Sequence, residues 1–581
     1  MKNKKAVLHS AAGAGAFIAL IAVGLGFDAL ASAKRARPDE TASFDIVIRN
    51  GHILDGSGNP WYAADVGIRG DRIEAIRNLS DARATRTIDA SGQIVSPGFI
   101  DVLGQSEMAL LIDNRAISKL SQGITSEVTG EGQSIAPQNE KTLAVLKPVL
   151  DHYHLTVDWA TLDGYFRRLE KQGTPLNLGT FVGAAQVREA VIGEDDRAPT
   201  GAELEQMKSL VEQAMKDGAL GVSTALIYPP GHYAKTDELI ALSKVAAQYG
   251  GIYASHMRSE GAREMEAIGE AIRIGREAGL PVEIFHLKVI GKTRWGSMPR
   301  VVEKIQAARD SGLDIRADQY PYVAGGTALA SALPPWVADG GLAKLLDRLH
   351  DPKTRDRIKT EMTSDHTDWE NLYFESGGGS GVMIASADNP ALKQYQGQTL
   401  AQIAKTQGKN ELDALFDFVI EDKGQTGALY FIADENDLRY GLKQTWVEIG
   451  LDAGEMPLDG PLFEPHTHPR TMGSVPRFLG HYVRDEKLLP LPEAIRKITS
   501  MPAQRYHLTN RGLIEKGFYA DITVFNPNTI IDRATYEQPT QLSEGIDCVV
   551  VNGKIEYENG KLTGVNAGRA LRGMGSHPGA H

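Results

Sequence analysis

The clearest pattern along the chain is an alternation of short apolar runs with longer segments in which apolar residues recur at helical spacing. The short runs predict buried strands and are residues 176–182, 219–224, 251–256, 281–288 and 313–320. The longer segments predict helices and are residues 202–217, 237–249, 263–278 and 299–311. Repeated strand–helix units predict an α/β fold with a parallel sheet, and the long unbroken series favours a closed (β/α)₈ TIM-like barrel.

A different pattern of short strands and tight turns precedes this series. Residues 44–49 alternate between apolar and polar and end at Asn50 and Gly51, which predicts a hairpin turn. Residues 66–76 predict a second hairpin, which turns at Gly70 and Asp71.

The C-terminal end of the chain has the same texture as the N-terminal end. Residues 520–525 read as a strand, and residues 547–562 read as strands joined by Asn-Gly turns at 552–553 and 559–560. The two ends therefore predict one small β-sandwich domain built from both termini.

The strand–helix rhythm breaks in a charged, mixed stretch at about residues 340–434, which we interpret as an insertion that caps the barrel mouth. The predicted organisation along the chain is a signal peptide at 1–33, a linker at 34–42, the β-sandwich at 43–97 and 506–565, the barrel at 98–505 and a flexible tail at 566–581.

The first residues have the form of an export signal. Lys2, Lys4 and Lys5 give a basic start, an apolar run covers residues 11–27, and small residues at 29–33 suit signal cleavage. We expect an exported protein, periplasmic or secreted. The alternative is an uncleaved membrane anchor, for which the apolar run is at the short limit.

Composition narrows the class of protein further. The chain has 581 residues with 42% hydrophobic and 23% charged residues, which is typical of a globular protein. A net charge of −12 argues against nucleic acid as a partner. A single cysteine, Cys548, excludes a disulfide framework and a Cys-rich zinc site. A homo-oligomer is compatible with this composition.

Polar residues fall at the ends of the predicted strands, where barrel enzymes place their active sites. They include Asp101, Glu131, His256 and the pair His286 and Lys288. Two histidines one strand–helix unit apart predict a metal site at the barrel mouth. Each histidine taken alone is more often a hydrogen-bonded structural residue.

An ordered set of motifs resembles the amidohydrolase superfamily, and within it the D-aminoacylase (N-acyl-D-amino-acid deacylase) group. The resemblance runs over residues 43–565 and is carried by the segments SPGFID at 96–101, GITS at 123–126, GALGVST at 218–224, SHMRSEG at 255–261, YPYVAG at 320–325, HPR at 468–470 and GFYAD at 517–521.

The chain departs from this group at two metal-ligand positions. The family's His-x-His pair is replaced by Leu103 and Gln105, and the family's cysteine ligand is missing near Glu131. The resemblance therefore implies a set of Glu131, His256 and His286, with Glu127 as a rival carboxylate. A His₂-carboxylate set suits one catalytic zinc ion with an open position.

The resemblance also implies the chemistry. Asp452 would act as general base and then general acid toward a zinc-bound hydroxide that attacks an amide carbonyl. By motif, Lys288, Tyr320 and Arg470 would hold the free carboxylate of a small-molecule substrate, with Tyr228 as a further pocket residue. His466 and His468 are interpreted as loop residues or as supports of the site, not as ligands.

The expected function is hydrolysis of the amide bond of N-acyl amino acids, of D configuration by resemblance, or of small peptides. Two alternatives stay open at this point. One is a cyclic amide or lactone hydrolase of the same superfamily. The other is an inactive barrel that acts as a binding protein, for which Leu103 and Gln105 are the best support.

Overall fold

The computed structural model describes residues 43–365 and 368–576. The predicted signal peptide and linker lie outside the described residues. Within the described residues, none of the helices combines the length and the apolar character that crossing a membrane requires.

The described chain opens with five strands: β1 (Ser43–Ile53), β2 (Tyr62–Arg69), β3 (Arg72–Arg77), β4 (Arg83–Asp89) and β5 (Ile94–Pro97). The turn predicted at Gly70 and Asp71 joins β2 to β3, as expected. The turn predicted at Asn50 and Gly51 was wrong. β1 continues through both residues, and its register with β2 shifts there, because an Asn-Gly pair also suits a β-bulge.

The next eight strands are β6 (Phe99–Asp101), β7 (Ile124–Thr129), β8 (Asn177–Thr180), β9 (Val182–Gly183), β10 (Gly221–Ala225), β11 (Ile252–His256), β12 (Val282–Ile284) and β13 (Ile315–Gln319). They alternate with helices α1 (Ala109–Ile112), α2 (Ile117–Leu120), α3 (Glu140–Tyr153), α4 (Leu162–Gln172), α5 (Ala184–Val191), α6 (Gly201–Asp217), α7 (Thr236–Ala247), α8 (Glu264–Ala278) and α9 (Met298–Asp310). The predicted strand–helix rhythm is thus confirmed as an α/β fold.

The parallel strands are buried on both faces. On β11, Tyr253 joins the large apolar cluster formed with the helices, whereas Ile252 and Ala254 join a second cluster on the other face. Strands covered on both faces read as continuous apolar runs, which explains why the sequence pattern identified them.

The insertion folds around its own sheet and its own apolar core. Its elements are β14 (Ala324–Ala328), α10 (Leu342–His350), α11 (Pro352–Met362), α12 (Leu372–Glu375), β15 (Val382–Ser386), α13 (Leu400–Gln407), α14 (Glu411–Glu421) and β16 (Gly427–Phe431). The three strands pair antiparallel in the order β14-β16-β15. This sheet takes its first strand from residues before 340.

The chain then returns to the parallel strands through α15 (Glu435–Leu442) and β17 (Val447–Ile449), followed by α16 (Arg470–Arg477), a π-helix (Phe478–Asp485), α17 (Leu491–Lys497) and α18 (Ser500–Arg505). The parallel strands hydrogen-bond in two groups, β6-β7-β8 and β17-β13-β12-β11-β10-β9. A parallel bridge between Gly104 and Ala453 links the residues after β6 to those after β17.

Four strands close the chain: β18 (Ile522–Phe525), β19 (Ile546–Val551), β20 (Lys554–Glu558) and β21 (Lys561–Leu562). They extend the N-terminal strands into one sheet in the order β21-β20-β19-β18-β5-β1-β2-β3, with β4 paired to β1. Both chain ends therefore build one β region.

The segment after β21, predicted to belong to a flexible tail, packs against the body of the protein as far as residue 576. Leu571 is buried and its backbone N–H donates to the Leu178 carbonyl at 2.8 Å. Arg572 forms an ion pair with Asp163 at 2.9 Å. The polar composition of this segment concealed the strand-like contacts that its backbone makes.

Candidate metal and catalytic site

Glu131, His256 and His286, predicted as metal ligands, meet at one point. One potential ligand atom from each lies within 4.8 Å of the others. Glu131 Oε1 lies 3.0 Å from His256 Nδ1 and 3.1 Å from His286 Nε2. Burial opposes charge on Glu131, but its contacts with His256 and His286 hold the pKa of this carboxyl well below its usual range.

The two histidines reach this point from different backbone conformations. His256 is the last residue of the regular strand β11. The strand predicted over residues 281–288 ends at Ile284, and His286 follows in a left-handed conformation with φ of 35°. The His286 N–H donates to Asp318 Oδ1 at 3.0 Å and so fixes this turn. A left-handed non-glycine residue is typical of functional sites.

Lys288 lies beside His286, and both residues follow the end of β12 at Ile284. Lys288 Nζ donates to Glu260 Oε1 at 2.7 Å and lies 2.9 Å from His286 Nδ1. Burial opposes its charge, yet Glu260 raises the pKa of Lys288.

Glu260 is a site residue that sequence reasoning missed. Its Oε1 lies 2.9 Å from His286 Nδ1, opposite the ring nitrogen that faces Glu131. A carboxylate in that position orients a ligating imidazole. Glu260 stands four residues after His256 within the quoted SHMRSEG motif, so an acidic residue close behind a predicted ligand was the available signal.

Glu127, the rival carboxylate, is held elsewhere. It is fully buried, accepts a hydrogen bond from Ser106 Oγ at 2.7 Å and lies 3.2 Å from Lys119 Nζ. Glu131 is therefore the carboxylate that faces the two histidines.

Asp452 lines the same cavity as the two histidines and also has a left-handed backbone, with φ of 52°. Its N–H donates to the Leu103 carbonyl at 2.7 Å. Arg470 Nη1 contacts Asp452 Oδ2 at 2.6 Å. Burial raises the pKa of Asp452 and Glu131 adds to the rise, while Arg470 opposes it.

Gln105 links Asp452 to the metal ligands. Its Nε2 donates to Asp452 Oδ1 at 3.0 Å and to Glu131 Oε2 at 3.1 Å. Leu103, the other departure from the family pattern, is buried in an apolar cluster. The position between the two carboxylates is thus filled by a neutral amide.

The aromatic residues predicted for substrate binding line the same cavity. The Tyr320 hydroxyl is buried and finds no hydrogen-bond partner among the described residues. The Arg470 guanidinium and the Lys288 ammonium lie 4.7 Å and 5.7 Å from the Tyr320 ring. Tyr228 lies edge-on to His256, with ring centroids 5.3 Å apart.

His468 supports the site without joining the ligands. Its Nε2 lies 2.9 Å from the Ala324 carbonyl, and its Nδ1 accepts a hydrogen bond from the Arg470 N–H at 3.0 Å. Burial, with the Arg470 charge, holds the pKa of His468 well below its usual range. His466 lies outside the ligand cluster.

The donor set fits a divalent metal ion. One carboxylate and two imidazoles are the ligands of many catalytic zinc sites, and His256 Nε2 is buried with no hydrogen-bond partner in the described part of the chain. The cluster opens onto a cavity of about 380 Å³ that Asp452, Lys288, Tyr320 and Tyr228 also line. A small ligand bound there would contact the metal ligands and Asp452 together.

Comparisons with known proteins agree with this chemistry. A family model described as "Amidohydrolase family" matches residues 457–557. D-aminoacylase from Alcaligenes xylosoxydans xylosoxydans is 35% identical over 533 residues, which cover 92% of this chain and 98% of that protein.

Two solved structures resemble the whole fold. N-acyl-D-glutamate deacylase from Bordetella bronchiseptica, complexed with zinc and a phosphonate that mimics the reaction's tetrahedral intermediate, matches with a TM-score of 0.77 and 31% identity over 91% of this chain and 100% of that chain. A D-aminoacylase structure, described for the functional role of its binuclear metal center with one-metal activation and second-metal attenuation, matches with a TM-score of 0.75 and 34% identity over 91% of this chain and 100% of that chain.

Proposed function

Because this chain belongs to the D-aminoacylase group of the amidohydrolases, enzymes that hydrolyse amide C–N bonds, we propose that its substrates are N-acyl-D-amino acids with a free α-carboxylate. The family predicted from the sequence motifs is confirmed. The observation that carries the proposal is that Glu131, His256, His286 and Asp452 line one cavity. The D configuration is carried over from the names of the relatives.

The proposed cofactor is a single zinc ion held by Glu131, His256 and His286. A bound zinc ion would supply Lewis acidity, which polarises an amide carbonyl and lowers the pKa of water. Support for a single ion comes from the amide of Gln105, which donates to Glu131 and Asp452 at 3.1 Å and 3.0 Å. A second cation would have to displace this amide.

The proposed role of Asp452 is proton transfer. As a carboxylate held by Gln105 and Arg470, it accepts a proton from the attacking water at one oxygen and returns it to the leaving nitrogen. Burial raises the pKa of Asp452, which makes the carboxyl a better base and so favours this transfer.

The proposed anchor for the substrate carboxylate is the group of Tyr320, Arg470 and Lys288. The unpartnered Tyr320 hydroxyl is a free donor, and the two cations flank its ring. Arg470 and Lys288 each already contact one carboxylate, Asp452 and Glu260. Arg470 and Lys288 therefore contribute a positive electrostatic field that orients the substrate carboxylate. The Tyr320 hydroxyl supplies a new hydrogen bond to it.

The substrate proposal is tested with N-acetyl-D- and N-acetyl-L-amino acids assayed beside a hydantoin. We expect zinc-dependent release of the free D-amino acids. Hydrolysis of the hydantoin alone would favour the cyclic-amide alternative, and no hydrolysis by zinc-loaded protein would favour a binding protein.

The single-ion proposal is tested by counting zinc bound to Gln105→Glu, which brings a third carboxylate to the same point. We expect one ion in the parent protein and two in the variant. The control is Gln133→Glu, the same change at another exposed glutamine two residues from Glu131, which should leave the count at one. Two ions in the parent protein would contradict the proposal.

For the architecture, we propose that β6 to β13 and β17 form one (β/α)₈ barrel, in which β8 and β9, separated only by Phe181, count as one strand, with the residues 43–97 and 506–565 as a β-sandwich. The bridge from Gly104 to Ala453 and the bond from the Phe181 N–H to the Thr129 carbonyl support barrel closure. We also propose that residues 1–33 direct export, which sequencing of the mature N-terminus would test.

A further inference from the structure

One buried glutamate of the insertion contacts the residues that follow β11. Glu370 lies between α11 and α12 and is buried. Both of its carboxyl oxygens accept from the N–H of Glu260, at 3.3 Å and 3.2 Å. Glu260 follows the strand that ends at His256, so this contact joins the insertion to a loop beside the candidate metal ligands.

The same carboxyl holds the residue before Glu260. The hydroxyl of Ser259 donates a hydrogen bond to Glu370. Ser259 Oγ in turn accepts from the N–H groups of Gly261 and Arg263, each at 3.2 Å. A serine hydroxyl has a single proton to donate, and here that proton goes to the insertion. Glu370 therefore fixes the start of this loop.

The backbone of Glu260 is held on both sides. Its N–H donates to Glu370, and its carbonyl accepts from the Ile290 N–H at 3.0 Å. Without the Glu370 carboxyl, a buried N–H would lose its acceptor, which is costly unless the peptide turns toward another one. Such a turn would move the side chain of Glu260.

The position of the Glu260 side chain matters because its carboxylate ends at two groups of the site. Glu260 Oε1 lies 2.9 Å from His286 Nδ1 and 2.7 Å from Lys288 Nζ. The other nitrogen of the His286 ring, Nε2, faces Glu131. A carboxylate at Nδ1 orients the imidazole and selects Nε2 as the nitrogen left for a metal ion.

The charge state of Glu370 suits a positioning role. Burial raises the pKa of Glu370 to about 8, and Glu260 adds to the rise, while the hydrogen bond from Ser259 opposes it. Because this pKa lies above neutral pH, the carboxyl is mostly protonated there and brings no second full charge beside Glu260. A glutamine, which is neutral and of nearly the same shape, is therefore a close substitute.

We propose that Glu370 is a positioning residue of the proposed zinc site: through the backbone of Glu260, it holds the carboxylate that orients His286. This inference rests on the proposed function, since it takes His286 to be a zinc ligand. It makes the zinc affinity depend on a residue of the insertion that acts through another side chain.

The test compares zinc dissociation constants, measured by competition with a chromophoric chelator. We expect Glu370→Ala to raise the constant about threefold to tenfold, below the roughly 10–100-fold rise expected when the direct partner of His286 is lost in Glu260→Ala. Glu370→Gln should stay close to the parent value, because its amide oxygen still accepts from the Glu260 N–H. A parent-like constant for Glu370→Ala would overturn the inference.

A double-mutant cycle separates positioning from a general structural role. If Glu370 acts through the Glu260 carboxylate, Glu370→Ala has nothing left to displace in the Glu260→Ala background. We expect the double variant to bind zinc as tightly as Glu260→Ala alone. Effects of the two changes that add in full would contradict the inference.

The matched control is Glu411→Ala, which removes another carboxyl of the insertion. Glu411 Oε2 also accepts one backbone N–H and one hydroxyl, from Gly379 at 2.9 Å and from Tyr373 at 2.7 Å, but both donors belong to the insertion itself. We expect this variant to keep the parent dissociation constant. A rise equal to that of Glu370→Ala would mean that any loosening of the insertion weakens zinc binding, and the specific role of Glu370 would be lost.

If the parent protein binds no zinc, the proposed zinc site fails instead. Crystal structures of metal-free Glu370→Ala and Glu411→Ala then still test the inference. We expect the contact between Glu260 Oε1 and His286 Nδ1 to be lost in the first variant and kept in the second, and an unchanged contact in Glu370→Ala would overturn the inference. Thermal unfolding identifies any loss of fold, and Glu370→Met, which keeps the length of the side chain, replaces Glu370→Ala if that variant does not fold.

Discussion

The two sides of the cavity are built in different ways. Glu131, His256 and His286, the proposed metal side, form a compact cluster in which one carboxylate oxygen contacts both imidazoles. Gln105, Asp452 and Arg470, the proposed proton side, form a chain in which the amide and the guanidinium each contact one oxygen of Asp452.

The backbone structures that position the two sides differ as well. His256 ends a regular buried strand, so strand register alone places it. Asp452 has a left-handed backbone and depends on the carbonyl of Leu103 and on Asp101, whose Oδ1 accepts from the Leu451 N–H at 2.9 Å. This difference indicates that metal binding and proton transfer can be disrupted separately by single substitutions.

The largest effect is expected from His256→Ala on the metal side. Removal of one of the three proposed ligands should abolish stable zinc binding and reduce activity below detection, since the remaining two donors no longer form a catalytic set. Zinc content after dialysis and the deacylase assay measure both results. A variant that retains one zinc ion and full activity would break the assignment of the metal side.

Asp452→Asn should separate the two sides. We expect kcat to fall by about 10²–10⁴-fold, the range of general acid–base catalysis, while zinc content stays at the parent value. The asparagine has nearly the same shape as the aspartate and can still accept the hydrogen bond from Gln105, but it lacks the carboxylate that is proposed to act as the base. Loss of zinc in this variant would show that Asp452 belongs to the metal side instead.

These two residues also illustrate what sequence can predict. His256 and the strand that carries it followed from apolar periodicity, because a buried parallel strand has an apolar pattern and ends where the site begins. Asp452 and Tyr228 came from the family resemblance, since no periodicity marks a residue in a left-handed turn or a proline-rich loop.

The connections between site residues could not be predicted. Gln105 was recognised as a departure, but its bonds to Glu131 and Asp452 join residues far apart in sequence. Glu260 was missed, because its role depends on which atoms lie nearby. The antiparallel sheet of the insertion was not predicted, because its strand β14 (Ala324–Ala328) is rich in glycine and alanine and shows no apolar alternation.

Arg470→Met should change the pH dependence of the proton side. Arg470 lowers the pKa of the Asp452 carboxyl against the effect of burial, so its removal raises that pKa. Because the ionised carboxylate is the proposed base, activity on the acid side should be lost at higher pH, with the acid limb of kcat/KM moved up by about 1 pH unit.

Arg470→Lys is the matched control, since it retains the positive charge. Its acid limb should lie close to that of the parent enzyme, because an ammonium beside Asp452 also lowers the pKa of that carboxyl. An acid limb that moves to lower pH in Arg470→Met would contradict the proposed role of this ion pair.

The smallest effect is expected from Tyr320→Phe, which removes one free hydroxyl without disturbing either side. Loss of a single hydrogen bond to the substrate carboxylate should raise KM by about tenfold and leave kcat and zinc content near their parent values. Tyr322→Phe, at a neighbouring buried tyrosine bonded to Asp532, is the comparison. Equal KM values for Tyr320→Phe and the parent would remove Tyr320 from the anchor.

The most direct test of the account is anomalous diffraction at the zinc edge from zinc-loaded crystals that contain a phosphonate analogue of an N-acyl-D-amino acid. We predict one anomalous peak bonded to Glu131, His256 and His286, with the amide of Gln105 still between Glu131 and Asp452. A second peak in place of that amide, or a single peak bonded to Asp452, would contradict it.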